Sequence, residues 1–123
     1  SVNRLKLLGY CLSEKMELMS DLGAAIITLT QEELQRFNFK KGDTEGVVNY
    51  ALSIEGVDIA AFMVERDGII KISFRSKGNI SVNQLARDHF NGGGHINAAG
   101  GAASTMEEAI TTFKRTISNY INN

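Results

Sequence analysis

The chain of 123 residues has no proline, a single cysteine and only two histidines. Each shortage removes a class of protein. Cys11 has no partner for an internal disulfide, and with only His89 and His95 beside it there is no Cys/His cluster for a structural metal. A cytosolic setting is therefore expected. No stretch reaches the roughly 20 apolar residues needed to cross a bilayer. Proline-rich, repetitive or low-complexity tracts are also lacking, which argues against a linker or solenoid. Positive charge is not in excess: 13 Lys and Arg against 14 Asp and Glu leave a formal charge of −1. A protein that coats nucleic acid by bulk electrostatics is thereby disfavoured.

What is present is the composition of one ordinary globular domain, 43% hydrophobic and 22% charged. The first residue is serine and no cleavable leader follows it, so the chain reads as a portion of a longer protein. Leu5, Leu8, Leu12, Met16 and Met19 recur at helical spacing and predict one amphipathic helix. Gly23 to Leu29 is a short β-branched run and predicts a buried strand. Thr30 and Glu33 have capping-box spacing for a helix to Phe37, and a short helix is expected over Gly46 to Ser53. Val57 to Val64 and Ile69 to Phe74 are strand-like runs joined through Asp67-Gly68, a strong hairpin signal, and are expected at the centre of the sheet. Ser81 with Gln84 and Thr105 with Glu108 open two further helices, the last with an apolar face from Met106 to Ile121. The whole predicts an α/β fold, a mixed β-sheet with helices packed on it.

Two segments carry chemistry. In Lys71 to Lys77 the period of two puts Ile70, Ile72 and Phe74 on one face and Lys71, Ser73 and Arg75 on the other. Arg75 offers a planar fork for two phosphate oxygens, Ser76 a hydroxyl and Lys77 a mobile charge. From Ile69 to Arg87 every charged residue is basic, a positive segment inside a neutral total. The second segment is Gly92-Gly93-Gly94-His95 with Asn97-Ala98-Ala99-Gly100. Its glycines cost backbone entropy, so a geometric demand is expected there. Open amides, with the dipole of an element starting just afterwards, would cradle a phosphate, and His95 would donate to it. A tight turn that needs glycine for its shape alone is the other reading. Asn79, Asn83, Asn91 and Asn97 are candidates for reading sugar or base edges. Asp88-His89 lies mid-helix and supplies too few ligands for a metal.

Gly92-Gly93-Gly94-His95, Asn97-Ala98-Ala99-Gly100 and Ser73-Phe74-Arg75-Ser76-Lys77 together resemble the DHH-associated C-terminal domain of DHH phosphoesterases. Val82 to Ala86 is similar to that pattern too. Glu45 to Val57 resembles the branch holding the bifunctional oligoribonuclease and phosphoadenosine phosphate phosphatase. The resemblance implies that residues 1–20 are a linker helix from an N-terminal catalytic domain outside this chain, and that 21–123 form the substrate-binding domain. It implies that Arg75, Ser76, Lys77, Gly92, Gly93, Gly94, His95 and Asn97 bind substrate, a short RNA or nucleotide such as 3′-phosphoadenosine 5′-phosphate. Two divalent ions, manganese in that family, would be held by the N-terminal domain, so this chain alone should hydrolyse nothing. Alternatives are a cyclic dinucleotide phosphodiesterase, a RecJ-like exonuclease, a non-catalytic nucleic-acid-binding module, or a structural domain forming a homodimer through the Leu5 to Met19 stripe.

Overall fold

The computed structural model describes residues 1–121. Six strands, β1 (Met16–Met19), β2 (Ala24–Leu29), β3 (Ile59–Arg66), β4 (Ile69–Ser76), β5 (Gly93–His95) and β6 (Ala98–Ala103), form one sheet in the order β1-β2-β3-β4-β6-β5. Only β2 and β3 pair parallel. The helices are α1 (Val2–Tyr10), α2 (Gln31–Arg36), α3 (Val47–Leu52), α4 (Val82–His89), α5 (Met106–Thr116) and α6 (Ser118–Ile121). The mixed α/β architecture expected from the sequence is the one adopted, with β3 and β4 at its centre.

Local chemistry sets the element ends. Asp67 and Gly68 both have positive φ, 54° and 79°, the two-residue hairpin geometry that closes Arg66 onto Ile69. Thr30 and Glu33 form the reciprocal capping box of α2. The hydroxyls of Ser81 and Thr105 accept from the amides of Gln84 and Glu108 and start α4 and α5.

Strand alternation divides the core into two layers. Ala24, Ile26, Ile59, Ala61, Met63, Ile70, Ile72 and Phe74 face one side, where Leu85, Phe90 and Phe113 from the α4 and α5 region cover them. Ala25, Ile27, Leu29, Ala60, Phe62 and Val64 face the other, under Leu7, Leu34, Val47 and Val48 of α1 to α3. That second layer covers β2 and β3. It leaves the same face of β4, β6 and β5 without a buried residue.

The helix expected to carry the Leu5 to Met19 stripe is shorter than the periodicity predicts. After α1 the chain passes through a π-helical turn, Cys11–Lys15, and turns extended at Met16. Met16 to Met19 then pair with Ile27 to Ala24, satisfying the outer edge of β2 that would otherwise be left unpaired. Leu8, Leu12 and Met16 pack against the second core layer, so most of the stripe offered as a dimer contact is used within the chain. The last helix also breaks, at Ile117, and α6 brings the Tyr120 hydroxyl 2.6 Å from Asp88 of α4, to which it donates.

Glu33 fastens this first segment. It is 5% exposed, accepts hydrogen bonds from the Tyr10 hydroxyl, Lys15 Nζ and the Thr30 amide, and so joins α1, the π turn and α2. Burial pushes its carboxyl upward, but the three donors outweigh burial and hold it at about 2. A depressed carboxylate stabilises the fold above its unfolded value of 4.5, and that stability is lost as pH falls through about 2. Urea midpoints measured at pH 5, 4 and 3 should therefore decline stepwise. Glu33→Gln should flatten much of that decline while lowering the midpoint at pH 7.

Candidate functional site

The open half of the second face is floored by small residues. In register, Lys71 lies opposite Ala102, Ser73 opposite Gly100 and Arg75 opposite Ala98. Ala98 in turn lies opposite His95. Arg75, Ala98 and His95 thus form one row across three strands, with about 10 Å between the outer Cα atoms at the usual strand spacing. An arginine side chain spans most of that distance. Guanidinium and imidazole can therefore meet on one phosphate, with nothing larger than a methyl group below it.

Arg75 is half-buried, and its Nη1 donates to the carbonyl of Phe74 at 2.8 Å. No carboxylate pairs with Arg75 or Lys71 among the described residues, so both charges are available to an anion. His95 and Lys77 are exposed, and Lys77 stands in the turn after β4, its amide bonded to the Asp58 carbonyl at 2.9 Å.

Ser76 and Asn97, also expected to bind substrate, have partners within the chain. Ser76 follows Ile70, Ile72 and Phe74 onto the covered face, where it is 5% exposed. Its hydroxyl donates to the Ile80 carbonyl at 2.6 Å and accepts from Asn97 Nδ2 at 3.0 Å. Asn97 Nδ2 also reaches the Gly78 carbonyl at 3.2 Å. Ser76 and Asn97 thus brace the β5–β6 turn against the end of β4. The period of two already carried this signal for Ser76, since an even-numbered neighbour of Phe74 belongs on the core face. Ser76→Ala leaves the Ile80 carbonyl short of a buried donor and should cost about 1–3 kcal/mol of stability. Urea unfolding checks the cost, and the affinity for a nucleotide bisphosphate should stay near that of the wild type.

The glycine cluster lies between the end of α4 and β6. It does not open a helix. Gly92 leads into the strand β5, which holds Gly93 and Gly94, and a second strand follows it, so no helix dipole points at the cluster from that side. The end of α4 meets it instead, with the Gly92 amide on the Ala86 carbonyl at 3.1 Å. The Gly94 amide is held by Asn83 Oδ1 at 2.9 Å. Two amides of the expected cradle are thus occupied. The glycines are required by close approach: a Cβ on Gly92 would lie 1.9 Å from the Gly100 oxygen, and one on Gly94 2.6 Å from the Ala98 oxygen. Asp88 accepts from Gln84 and Tyr120, and no group of three or more His, Cys, Asp or Glu comes together among the described residues to hold a metal ion.

Next to the row, the edge of α3 meets β4 in a groove of about 300 Å³ lined by Thr44, Glu45, Arg66, Lys71, Ser73 and Arg75. Arg66 and the Thr44-Glu45 approach to α3 were not legible as site residues, because the sequence does not show where α3 crosses the sheet.

A mixed six-stranded sheet with one face closed by helices and a cationic half-face left open defines a small α/β domain. The chain belongs to the DHHA1 domain family, which matches residues 17–123. The Bacillus subtilis protein named bifunctional oligoribonuclease and PAP phosphatase NrnA is 33% identical over 108 residues, 88% of this chain and 33% of its own length. The crystal structure of an exopolyphosphatase-related protein from Bacteroides fragilis superposes with a TM-score of 0.94 at 46% identity, covering 99% of this chain and 36% of that one. The pGpG-specific phosphodiesterase PggH from Vibrio cholerae shares the fold, with a TM-score of 0.68 at 18% identity over 98% of this chain and 40% of its own. The chain spans about a third of the length of the curated relatives it matches. No helix among the described residues is long and apolar enough to cross a membrane.

Proposed function

We propose that this chain is the substrate-gripping domain of a phosphoesterase that hydrolyses short oligoribonucleotides, 3′-phosphoadenosine 5′-phosphate, or both. The observation that carries the reading is the row of Arg75, Ala98 and His95 on an unobstructed face. The names of the relatives support the substrate class: oligoribonuclease and PAP phosphatase for the Bacillus subtilis protein.

In this reading Arg75 grips a terminal phosphate with its fork, and His95 donates to a second oxygen of the same group. Ala98, Gly100 and Ala102 let the sugar lie close to the sheet. Lys77 adds charge at the rim. The domain's contribution is orientation: it fixes one end of the substrate so that the bond to be cleaved is presented elsewhere. The residues described here do not fit a metal site. The divalent ions of a phosphoesterase would be held by a catalytic domain of the same protein, whose residues lie outside this chain.

Titration of the chain with adenosine 3′,5′-bisphosphate, followed by amide shifts in NMR, tests the reading. Shifts should concentrate at Phe74 to Lys77 and Gly93 to Ala98, with no release of inorganic phosphate. Absence of shifts in both segments at millimolar ligand would remove the proposal.

A further inference from the structure

The groove beside the phosphate row has a charge pattern that one phosphate at Arg75 does not use. Lys71 and Arg75 lie on the same face of β4, four residues apart, which is about 13 Å at the strand rise. Arg66 enters the groove from the end of β3, and its guanidinium is held 4.7 Å from the centre of the Phe39 ring. No carboxylate pairs with Arg66, Lys71 or Arg75 among the described residues. Glu45 is the one acid lining the groove, so three cations stand there against a single anion, with Thr44 and Ser73 supplying hydroxyls.

Resting on the function proposed above, we infer that Lys71 and Arg66 form a second anion subsite, occupied by an internal phosphate of a short RNA whose 5′-phosphate sits at Arg75. The separation along β4 is more than one sugar bridges and within reach of two. A nucleoside bisphosphate held at Arg75 therefore leaves Lys71 untouched, whereas a 5′-phosphorylated trinucleotide engages both ends. Between the two anchors the chain would run over Ser73 and Gly100, where nothing larger than a hydroxymethyl group rises from the sheet. The subsite gives the domain a means of telling oligonucleotides from single nucleotides.

Binding of adenosine 3′,5′-bisphosphate and of 5′-phosphorylated triadenylate is to be compared on the wild-type chain, Lys71→Ala and Arg66→Ala. Both side chains lie outside the apolar core, so the variants should fold. Loss of one charge-assisted contact should weaken the trinucleotide about tenfold. The slope of log affinity against log salt should fall by about 0.7 for the strand. Affinity for the bisphosphate should be unchanged. Equal loss for both ligands would show a diffuse field and overturn the subsite, as would no loss for either. If the wild type binds the bisphosphate at Arg75 but Lys71 is indifferent to strand length, the subsite falls and the phosphate row stands. If it binds neither ligand, both readings fall together.

Discussion

Gly92→Ala is expected to lower the stability of the domain by more than ~4 kcal/mol, or to prevent folding. The added methyl carbon would sit 1.9 Å from the Gly100 carbonyl oxygen, 2.7 Å from Gly101 Cα and 2.8 Å from the Gly100 carbonyl carbon. All three obstacles are backbone in a paired strand, so no rotamer change relieves the clash. Relief requires β5 to move away from β6, and that movement breaks the Gly92 and Gly94 anchors on Ala86 and Asn83. Gly9 is the control within the same chain. It lies in α1, a Cβ there would meet nothing within 4 Å, and Gly9→Ala should stabilise by about 0.5–1 kcal/mol through helix propensity. Urea midpoints of the two variants should move in opposite directions. A Gly92→Ala domain as stable as the wild type would mean that the hairpin does not lie as described.

The contrast shows what the sequence could and could not disclose. A run of three glycines signals that something comes close, but not what. The partner of Gly92 is eight positions on and becomes a neighbour only once β5 pairs with β6. The same limit explains Met16 to Met19. Their spacing of three suits a helix, and they become a strand because β2 offers an open edge that no local pattern records. Where the determinant is local, the reading carried through. Thr30 and Glu33 cap α2, Asp67-Gly68 closes the central hairpin, and the alternation in β4 sends Lys71, Ser73 and Arg75 to the open face. Of the eight residues expected to bind substrate, Arg75 and His95 fall in one row, whereas Ser76 and Asn97 are engaged with each other. Residue type alone cannot separate these cases, since a serine hydroxyl serves a phosphate or a buried carbonyl equally well.

Arg75→Ala is expected to reduce affinity for adenosine 3′,5′-bisphosphate about a hundredfold, the scale of a bidentate charged contact. Among the described residues its side chain is bonded only to the carbonyl of its own neighbour, Phe74, and is half-buried on the open face. The fold should therefore tolerate the change, and a melting temperature close to that of the wild type separates loss of grip from loss of structure. Arg75→Lys keeps the charge but loses the planar fork, so it should recover only part of the affinity. His95→Ala alone should cost less, because it removes one imidazole donor where Arg75→Ala removes two parallel ones. The double variant Arg75→Ala/His95→Ala decides whether the row acts as one site. If both side chains hold the same phosphate, the double loss falls short of the sum of the single losses, since without Arg75 the ligand no longer sits where His95 can reach it. Strict additivity, measured by calorimetry at fixed salt, would place the two residues on separate groups of the ligand and lengthen the footprint across β6.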